Sequence, residues 1–259
     1  MTLYRLTFKS VKALLWAAWA VALFLPSAHA AEERLQIVTE EYPPYNMTQN
    51  GKLTGLSTEV VQAVLKEVDL LGDIHVLPWA RAYDTALNSE NVLIYSIVRS
   101  PQREQLFKWV GVIAPTRWYL ISLADRDIQL KDLDEARRYQ IATVNNEAGE
   151  QFLIAKGFAV GRNLQSGNKY AFNYEKLKMG RVDLWLCTDL NAYYLVRQAG
   201  DDPARMLSRA LPLPELDSEL GLSMAFGPKT PDALVERFRK GLEAIKKNGV
   251  YDGIQKKWL

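Results

Sequence analysis

Histidine and cysteine are almost missing from this chain, and their scarcity excludes several kinds of site. The 259 residues include one cysteine and two histidines. Cys187 has no second thiol with which to form an internal disulfide. His75, the only histidine after the first thirty residues, lies in an apolar run and predicts a packed or edge residue. A histidine-based zinc site or a Ser-His-Asp triad is not expected, so we predict no catalytic residue, metal or cofactor.

The chain also lacks an excess of charge of either sign. The whole sequence has a formal charge of +2, from 32 Lys+Arg and 30 Asp+Glu. The first thirty residues hold three of the basic residues and no acidic ones, so the remainder is close to neutral. Such a balance gives no electrostatic basis for binding nucleic acid or anionic lipid. The length fits one large hydrophobic core or two small ones.

A secretory signal is predicted at the start of the chain. Three basic residues, Arg5, Lys9 and Lys12, precede an apolar run over Ala13–Leu25. Ala28–Ala30 then has the small-x-small pattern that signal peptidase recognises. The run is too short for an ordinary membrane span, which favours a signal over the alternative of an N-terminal anchor. We expect cleavage after Ala30 and, because no cysteine lies at the end of the signal, a soluble periplasmic protein without a lipid anchor.

Short β-rich runs alternate with amphipathic helical patterns along the rest of the chain, which predicts an α/β architecture. The predicted strands are Leu35–Thr39, Ile74–Leu77, Val92–Ile97, Leu120–Leu123, Gln140–Val144, Val182–Cys187 and Leu220–Phe226. Ser57 is predicted to cap the first helix, and further helices are expected over Arg81–Leu87, Leu130–Arg138, Glu147–Lys156, Tyr174–Met179, Asn191–Gln198 and Pro231–Lys247. Two such sets without a linker suggest two lobes in close contact, an arrangement whose interface often binds small molecules.

Several short motifs occur in an order and at a spacing typical of one family. They are Tyr42–Tyr45 after the first strand, Gly51–Ser57 before the first helix, Pro78–Ala82, Ser96–Arg103, Phe107–Gly111, Gly180–Asp183, and the terminal stretch Asn248–Leu259. Each motif alone is weak, but together they cover nearly all of the chain after the signal. On these residues the chain resembles the bacterial extracellular solute-binding proteins of family three, the polar amino-acid type that supplies ABC importers.

The resemblance implies a two-lobed α/β fold of the periplasmic binding protein type II class, with two crossing strands as a hinge. Lobe one is expected to comprise residues 31–119 and 224–259, and lobe two residues 120–223. The crossings are expected near Trp118–Ser122 and Leu220–Met224.

The resemblance also implies ligand contacts in lobe one. Arg103 matches the position that holds the ligand carboxylate, a task that suits a bidentate guanidinium. Ser100 matches a nearby hydroxyl contact, and Ser96 begins the same stretch. Tyr42 and Trp79 match aromatic positions on either side of the ligand side chain.

The sequence departs from the family pattern beside these positions. Val98 stands where the family usually has a serine or threonine contact. Arg99 adds a second cation beside Arg103, and Arg81 adds a third unless it belongs to a solvated helix face. A cleft rich in arginine favours a ligand with more than one carboxylate, or another anion.

The expected partner of a ligand ammonium is an acidic residue of lobe two. Asp189 stands close to the family position, one residue later than usual, and Asn145 and Asn146 match a loop that faces the ligand. The first strand ends at Thr39 and is followed by Glu40 and Glu41, where some relatives have a ligand-contacting aspartate.

The resemblance implies that the protein is a monomer that captures an amino acid or similar small carboxylate by hinge closure and delivers it to the permease of an ABC importer. No G-x-x-x-x-G-K-[ST] motif occurs, so the ATPase is a separate protein. One alternative is an exported dehydratase-like enzyme on the same fold, with Glu147, Glu150 or Glu40 as its acid. Another is a ligand-sensing accessory to a membrane receptor.

Overall fold

The computed structural model describes residues 35–217 and 221–259. The predicted signal and its cleavage site lie outside the described residues. Within them, no helix combines the length and apolar character that crossing a membrane requires.

Strands and helices alternate along the chain. The strands are β1 (Leu35–Thr39), β2 (Met47–Gln49), β3 (Lys52–Thr54), β4 (Gly72–Val76), β5 (Val92–Val98), β6 (Lys108–Ala114), β7 (Trp118–Leu123), β8 (Ile141–Val144), β9 (Leu164–Gly167), β10 (Leu184–Thr188), β11 (Leu207–Pro212) and β12 (Leu222–Phe226). The helices are α1 (Leu56–Glu67), α2 (Trp79–Asn88), α3 (Leu133–Ala136), α4 (Ala148–Ala155), α5 (Tyr170–Lys178), α6 (Asp189–Gln198), α7 (Pro203–Met206), α8 (Asp232–Lys247) and α9 (Val250–Trp258).

Two five-stranded sheets organise these elements. The first sheet has the order β4-β1-β5-β12-β6, and the second has the order β11-β7-β10-β8-β9. The chain passes from the first sheet to the second between Ala114 and Trp118, and it returns between Pro212 and Leu222. The first sheet therefore combines strands from both ends of the described chain. β4 is an edge strand with His75 exposed near its end, as the sequence predicts.

An apolar stripe of α1 faces the core of the first sheet. Val60, Val61 and Val64 are fully buried, and they pack in one cluster with Phe238 and Leu242 of α8. These spacings follow the helical period, so one face of each helix is removed from water while the other remains polar.

The start of α1 differs from the sequence prediction. Its N-cap is Gly55 rather than Ser57, and the buried Ser57 hydroxyl finds no hydrogen-bond partner among the described residues. Loop carbonyls take the place of a capping side chain, because the amides of Leu56 and Ser57 donate to Pro44 and Tyr45 at 3.0 and 2.8 Å. The prediction that the Ser57 hydroxyl caps this helix was wrong, because carbonyls of the preceding loop satisfy the backbone amides of the first turn.

Other boundaries also shift. The charged stretch predicted as a helix over Leu130–Arg138 forms only the four residues of α3, which begin after the capping side chain of Asp132. The helix predicted from Tyr174 starts at Tyr170, one turn earlier. The sequence analysis missed the β2–β3 hairpin, β6, β9, β11, α7 and α9.

Gly221 provides a test of the second crossing. Its φ is +81°, and an added Cβ would lie 2.1 Å from the Ala114 carbonyl oxygen. Gly221→Ala should lower the free energy of unfolding by about 2 kcal/mol or more, because both the backbone and the contact become strained. Gly253→Ala is the control, since its added Cβ meets nothing within 4 Å. Denaturant unfolding that shows equal effects for the two variants would contradict the crossing geometry.

Candidate functional site

Arg103 lies in the turn after β5 and is almost completely buried, with 1% of its surface exposed. The backbone amide of Arg103 donates to the Ser100 carbonyl at 2.9 Å, which fixes the turn. Because a buried charge is costly without compensation, the groups around this guanidinium indicate what the site is built to bind.

Backbone carbonyls and aromatic rings surround the guanidinium. Arg103 Nη2 donates to the Asn146 carbonyl at 3.1 Å, and Nη1 donates to the Val98 carbonyl at 3.4 Å. The guanidinium carbon lies 5.3 Å from the centre of the Trp79 ring and 5.1 Å from that of Tyr83. Nε is buried and has no hydrogen-bond partner among the described residues. The guanidinium thus retains one buried donor that a further acceptor could satisfy.

The Asn146 carbonyl joins the two sheets at this point. It accepts a second hydrogen bond from Trp79 Nε1 at 2.9 Å. Asn146 has a left-handed backbone conformation, φ 59°, directly after β8. Its amide donates to Glu150 Oε1 at 3.0 Å, and the Thr143 hydroxyl donates to Glu150 Oε2 at 2.6 Å. The turn of the second sheet is therefore held against the arginine of the first.

Tyr42 forms a second junction between the sheets. Its ring stacks on Tyr170 of α5, with centroids 4.3 Å apart and planes at 16°. Its hydroxyl lies 3.0 Å from that of Thr188 at the end of β10. Asn191 Nδ2 donates to the neighbouring Pro43 carbonyl at 2.6 Å. The aromatic position that the resemblance assigns to the ligand side chain is here in contact with a ring of the protein itself.

Buried carboxylates lie near the guanidinium. Glu40 and Glu147 are 4% and 5% exposed. Burial, with Glu147 nearby, raises the pKa of Glu40 well above its usual range, and Arg103 opposes the rise. Burial raises the pKa of Glu147 to about 7, opposed by the Tyr170 hydroxyl and by Arg103. The Tyr170 hydroxyl is close to Glu147 but makes no well-formed hydrogen bond among the described residues.

These acids do not form a metal site, since no group of three or more candidate ligands occurs among the described residues. A cavity of about 460 Å³ lies at the mouth of the same interface. It is lined by Glu40, Glu41, Pro43, Val76, Leu77 and Pro78 from one side and by Asn168, Lys169, Tyr170, Ala171 and Leu195 from the other. Glu40 thus connects this cavity with the buried cluster around Arg103.

The predicted residues divide into those near Arg103 and those elsewhere. Trp79 lies beside Arg103, and Tyr42 lies at the second junction of the interface, against Tyr170. Ser96 is buried with φ 60° and donates through its hydroxyl to Asn46 Oδ1 at 2.5 Å, so it supports the segment that carries Glu40. Ser100 is half-buried in the Arg103 turn.

The additional arginines are outside the cluster. Arg99 is exposed, pairs with Glu104 at 2.5 Å and stacks over Trp109. Arg81 is exposed on α2, as in the solvated-face alternative. The structure therefore does not bring these arginines together with Arg103: the turn after β5 directs Arg99 and Arg103 to different surroundings, and Arg81 lies on the exposed face of α2.

The predicted contacts of the second sheet are also separated. Asn145 is exposed and its side-chain amide donates to the Ser166 hydroxyl at 3.4 Å. Asp189 pairs with Arg209 at 3.4 Å and accepts from the Leu190 amide. Asp189 lines a different cavity of about 230 Å³, near the crossing at Pro115–Arg117. The ligand roles of Asn145 and Asp189 stay predictions.

The residues that the sequence did not indicate as ligand-site candidates are Tyr170, Thr188 and Glu147. Glu147 was considered only as a candidate acid of an enzyme, whereas Glu40 was also noted at the strand end where some relatives have a ligand-contacting aspartate. Both acids come shortly after the end of a strand, and this position is the sequence signal that could have identified Glu147.

The fold is that of the two-lobed periplasmic binding proteins. The structure matches an ancestral arginine-binding protein bound to arginine with a TM-score of 0.76 and 19% identity, covering 87% of this chain and 98% of that one. It matches a histidine kinase sensor domain with similarity to periplasmic binding proteins with a TM-score of 0.78 and 19% identity, covering 88% and 96%.

Residues 35–259 match the bacterial extracellular solute-binding proteins, family 3, and the chain belongs to this family. Among curated relatives, the probable amino-acid ABC transporter-binding protein of Haemophilus influenzae is 24% identical, with 95% of each chain covered. The arginine-binding extracellular protein ArtP of Bacillus subtilis is 22% identical, with 85% of this chain and 83% of the relative covered. The family assignment made from the motifs is confirmed.

The Tyr42–Thr188 contact can be tested by a double-mutant cycle. Tyr42→Phe and Thr188→Val each remove one hydroxyl of the pair, so their effects on the free energy of unfolding should not add. We expect a coupling energy of about 1 kcal/mol, typical of a buried neutral hydrogen bond. Strict additivity in denaturant titrations would show that the two sheets do not make this contact in solution.

Proposed function

We propose that this protein captures a free amino acid by closing its two lobes and delivers it to the membrane permease of an ABC importer. Lobe one carries the first sheet and lobe two the second. The predicted boundaries after residues 119 and 223 cut through β7 and β12, so we place the crossings between Ala114 and Trp118 and between Pro212 and Leu222. Arg103 binds the ligand carboxylate, and the buried acids Glu40 and Glu147 face its ammonium group. The membership of the chain in a solute-binding family supports this function.

The buried guanidinium carries the proposal. Its hydrogen bonds go to backbone carbonyls, and its buried Nε has no partner among the described residues. A ligand carboxylate supplies a negative charge, which these carbonyls lack, and it offers an acceptor to Nε. A guanidinium and a carboxylate can also form two parallel hydrogen bonds, which adds strength and fixes the geometry. In this mechanism the carboxylate takes the place of the Asn146 carbonyl on Nη2. The hinge then closes the second sheet over the ligand.

Charge indicates the class of amino acid. The sequence favoured a ligand with more than one carboxylate. That preference loses its support, because Arg81 and Arg99 are exposed while Glu40 and Glu147 are buried. Two relatives are named as arginine-binding proteins, one from Bacillus subtilis and one from Mannheimia haemolytica. We therefore favour an amino acid with a cationic side chain over a dicarboxylate.

The location and partners follow from the same proposal. A signal cleaved after Ala30 directs the protein to the periplasm, where it acts as a monomer, without nucleic acid and without turnover of its ligand. Prephenate and arogenate are the substrates to assay for the dehydratase alternative, and turnover of either would overturn the binding-only proposal.

Substitution of Arg103 tests the carboxylate site. Arg103→Ala should weaken arginine binding by about 100-fold or more, because it removes one member of a buried charge pair. Arg99→Ala is the matched control and should leave the affinity unchanged, since that side chain is exposed. Isothermal titration of the three proteins measures both effects, with Arg103→Lys as a conservative second variant. Equal affinities in Arg103→Ala and the unmodified protein would refute the proposed anchor.

A sensory role is the second candidate. The structural likeness to a histidine kinase sensor domain, over 88% of this chain, favours it. In that role a membrane receptor, rather than a permease, recognises the closed form. Permease and ATPase genes beside the gene for this protein would favour import, whereas a neighbouring kinase or cyclase gene would favour signalling.

A further inference from the structure

Buried acidic side chains outnumber buried basic ones at the lobe interface. Within residues 35–217 and 221–259, the buried charged side chains are Glu40, Arg103, Glu147 and Glu150, each at most 5% exposed. Glu40 and Arg103 follow strands of the first sheet, whereas Glu147 and Glu150 follow β8 of the second. The two sheets thus bring three carboxylates and one guanidinium into one dry region.

Both carboxylate oxygens of Glu150 already have partners. They accept hydrogen bonds from the Thr143 hydroxyl and the Asn146 amide, at 2.6 and 3.0 Å. Glu40 and Glu147 are therefore left to share the single guanidinium of Arg103.

Charged and polar groups face Glu147 from several elements. Arg103 faces it from the turn after β5, Glu150 from α4, and the neutral Tyr170 from α5. Glu40 faces it from the end of β1. Tyr42 and Cys187 also lie within its electrostatic reach, and both are buried, uncharged groups. No second cation faces Glu147 among these groups. At the cavity that Glu40 lines, the exposed Glu41 and Lys169 add one charge of each sign.

We propose that the closed cleft requires one positive charge in addition to that of Arg103, because Glu40 and Glu147 are both buried in it. Through this requirement the Glu40–Glu147 pair selects the ligand by its charge. A cationic ligand side chain supplies the charge directly. A ligand with a neutral side chain closes the cleft only when a proton from solvent binds a carboxylate oxygen of the pair. This inference rests on the proposed amino-acid binding and adds Glu147 as a residue that determines specificity.

The direction of the pH dependence follows from burial. A hydrated glutamate in the open protein has a pKa of about 4.3, whereas burial in the closed protein raises the pKa of Glu147 to about 7. Between these values, closing over a neutral ligand takes up a proton, so affinity is highest at low pH. It falls by up to about tenfold per pH unit as the pH rises towards 7. A cationic side chain removes the need for the proton and flattens the dependence.

Proton-linked titration calorimetry tests this inference on the exported chain. Arginine and glutamine, whose side chains differ in charge, are titrated at pH 6 in two buffers of different ionisation enthalpy. Glutamine should bind with uptake of close to one proton, and arginine with much less. Equal proton uptake for the two amino acids, with both bound, would overturn the inference and leave the proposed function intact. Failure of both to bind would overturn the two together.

A variant assigns the effect to the buried pair. Glu147→Gln removes the titrating carboxylate and should abolish most of the proton uptake with glutamine, while reducing the preference for arginine over glutamine at pH 7. Glu175→Gln is the control, because it removes an exposed carboxylate from the same lobe and should change neither quantity. Unchanged proton uptake in a folded Glu147→Gln protein would contradict the role of this residue. The comparison of the two ligands on the unmodified protein does not depend on the variant.

Discussion

The cost of burying one guanidinium governs the arrangement at the centre of this molecule. Arg103 is covered by Trp79 and Tyr83 and by a turn of the second sheet, whose Asn146 carbonyl accepts from both Arg103 and Trp79. Burial of the charge therefore depends on contact between the two sheets. Under the proposed function, a solute that offers a better acceptor to this guanidinium would bind most tightly where the sheets are closed, which would couple binding to the hinge.

The acids around the guanidinium make the interface more than an anion site. Glu40 and Glu147 approach Arg103 from different sheets, and in the dry interior their charges repel one another. Under the proposed function, a zwitterion would relieve this repulsion through its ammonium group while its carboxylate neutralised Arg103. The arrangement of the charges thus supports the proposal of a ligand that carries both signs.

Local sequence predicted much of the fold and one part of the site. β1 matches its prediction residue for residue, because an apolar run between polar segments has one simple solution. Arg103 was identified from a motif of eight residues. The capping of α1 was not predictable locally, since its partners are carbonyls of Pro44 and Tyr45 in a preceding loop.

The burial of particular charges was beyond local reasoning. Arg99 and Arg103 occupy one short turn, yet one is exposed and the other buried, because the turn geometry separates their side chains. Glu40 and Glu147 resemble ordinary surface acids in sequence. They become buried only because the fold brings together two segments that are more than a hundred positions apart.

A crystal structure of the protein grown with arginine tests the central claim most directly. The account predicts that the ligand carboxylate lies within hydrogen-bonding distance of the Arg103 guanidinium, that the Asn146 carbonyl is displaced from Nη2, and that the positive groups of the ligand face Glu40 and Glu147. Arginine bound elsewhere, with the Asn146 carbonyl still accepting from Arg103, would contradict it.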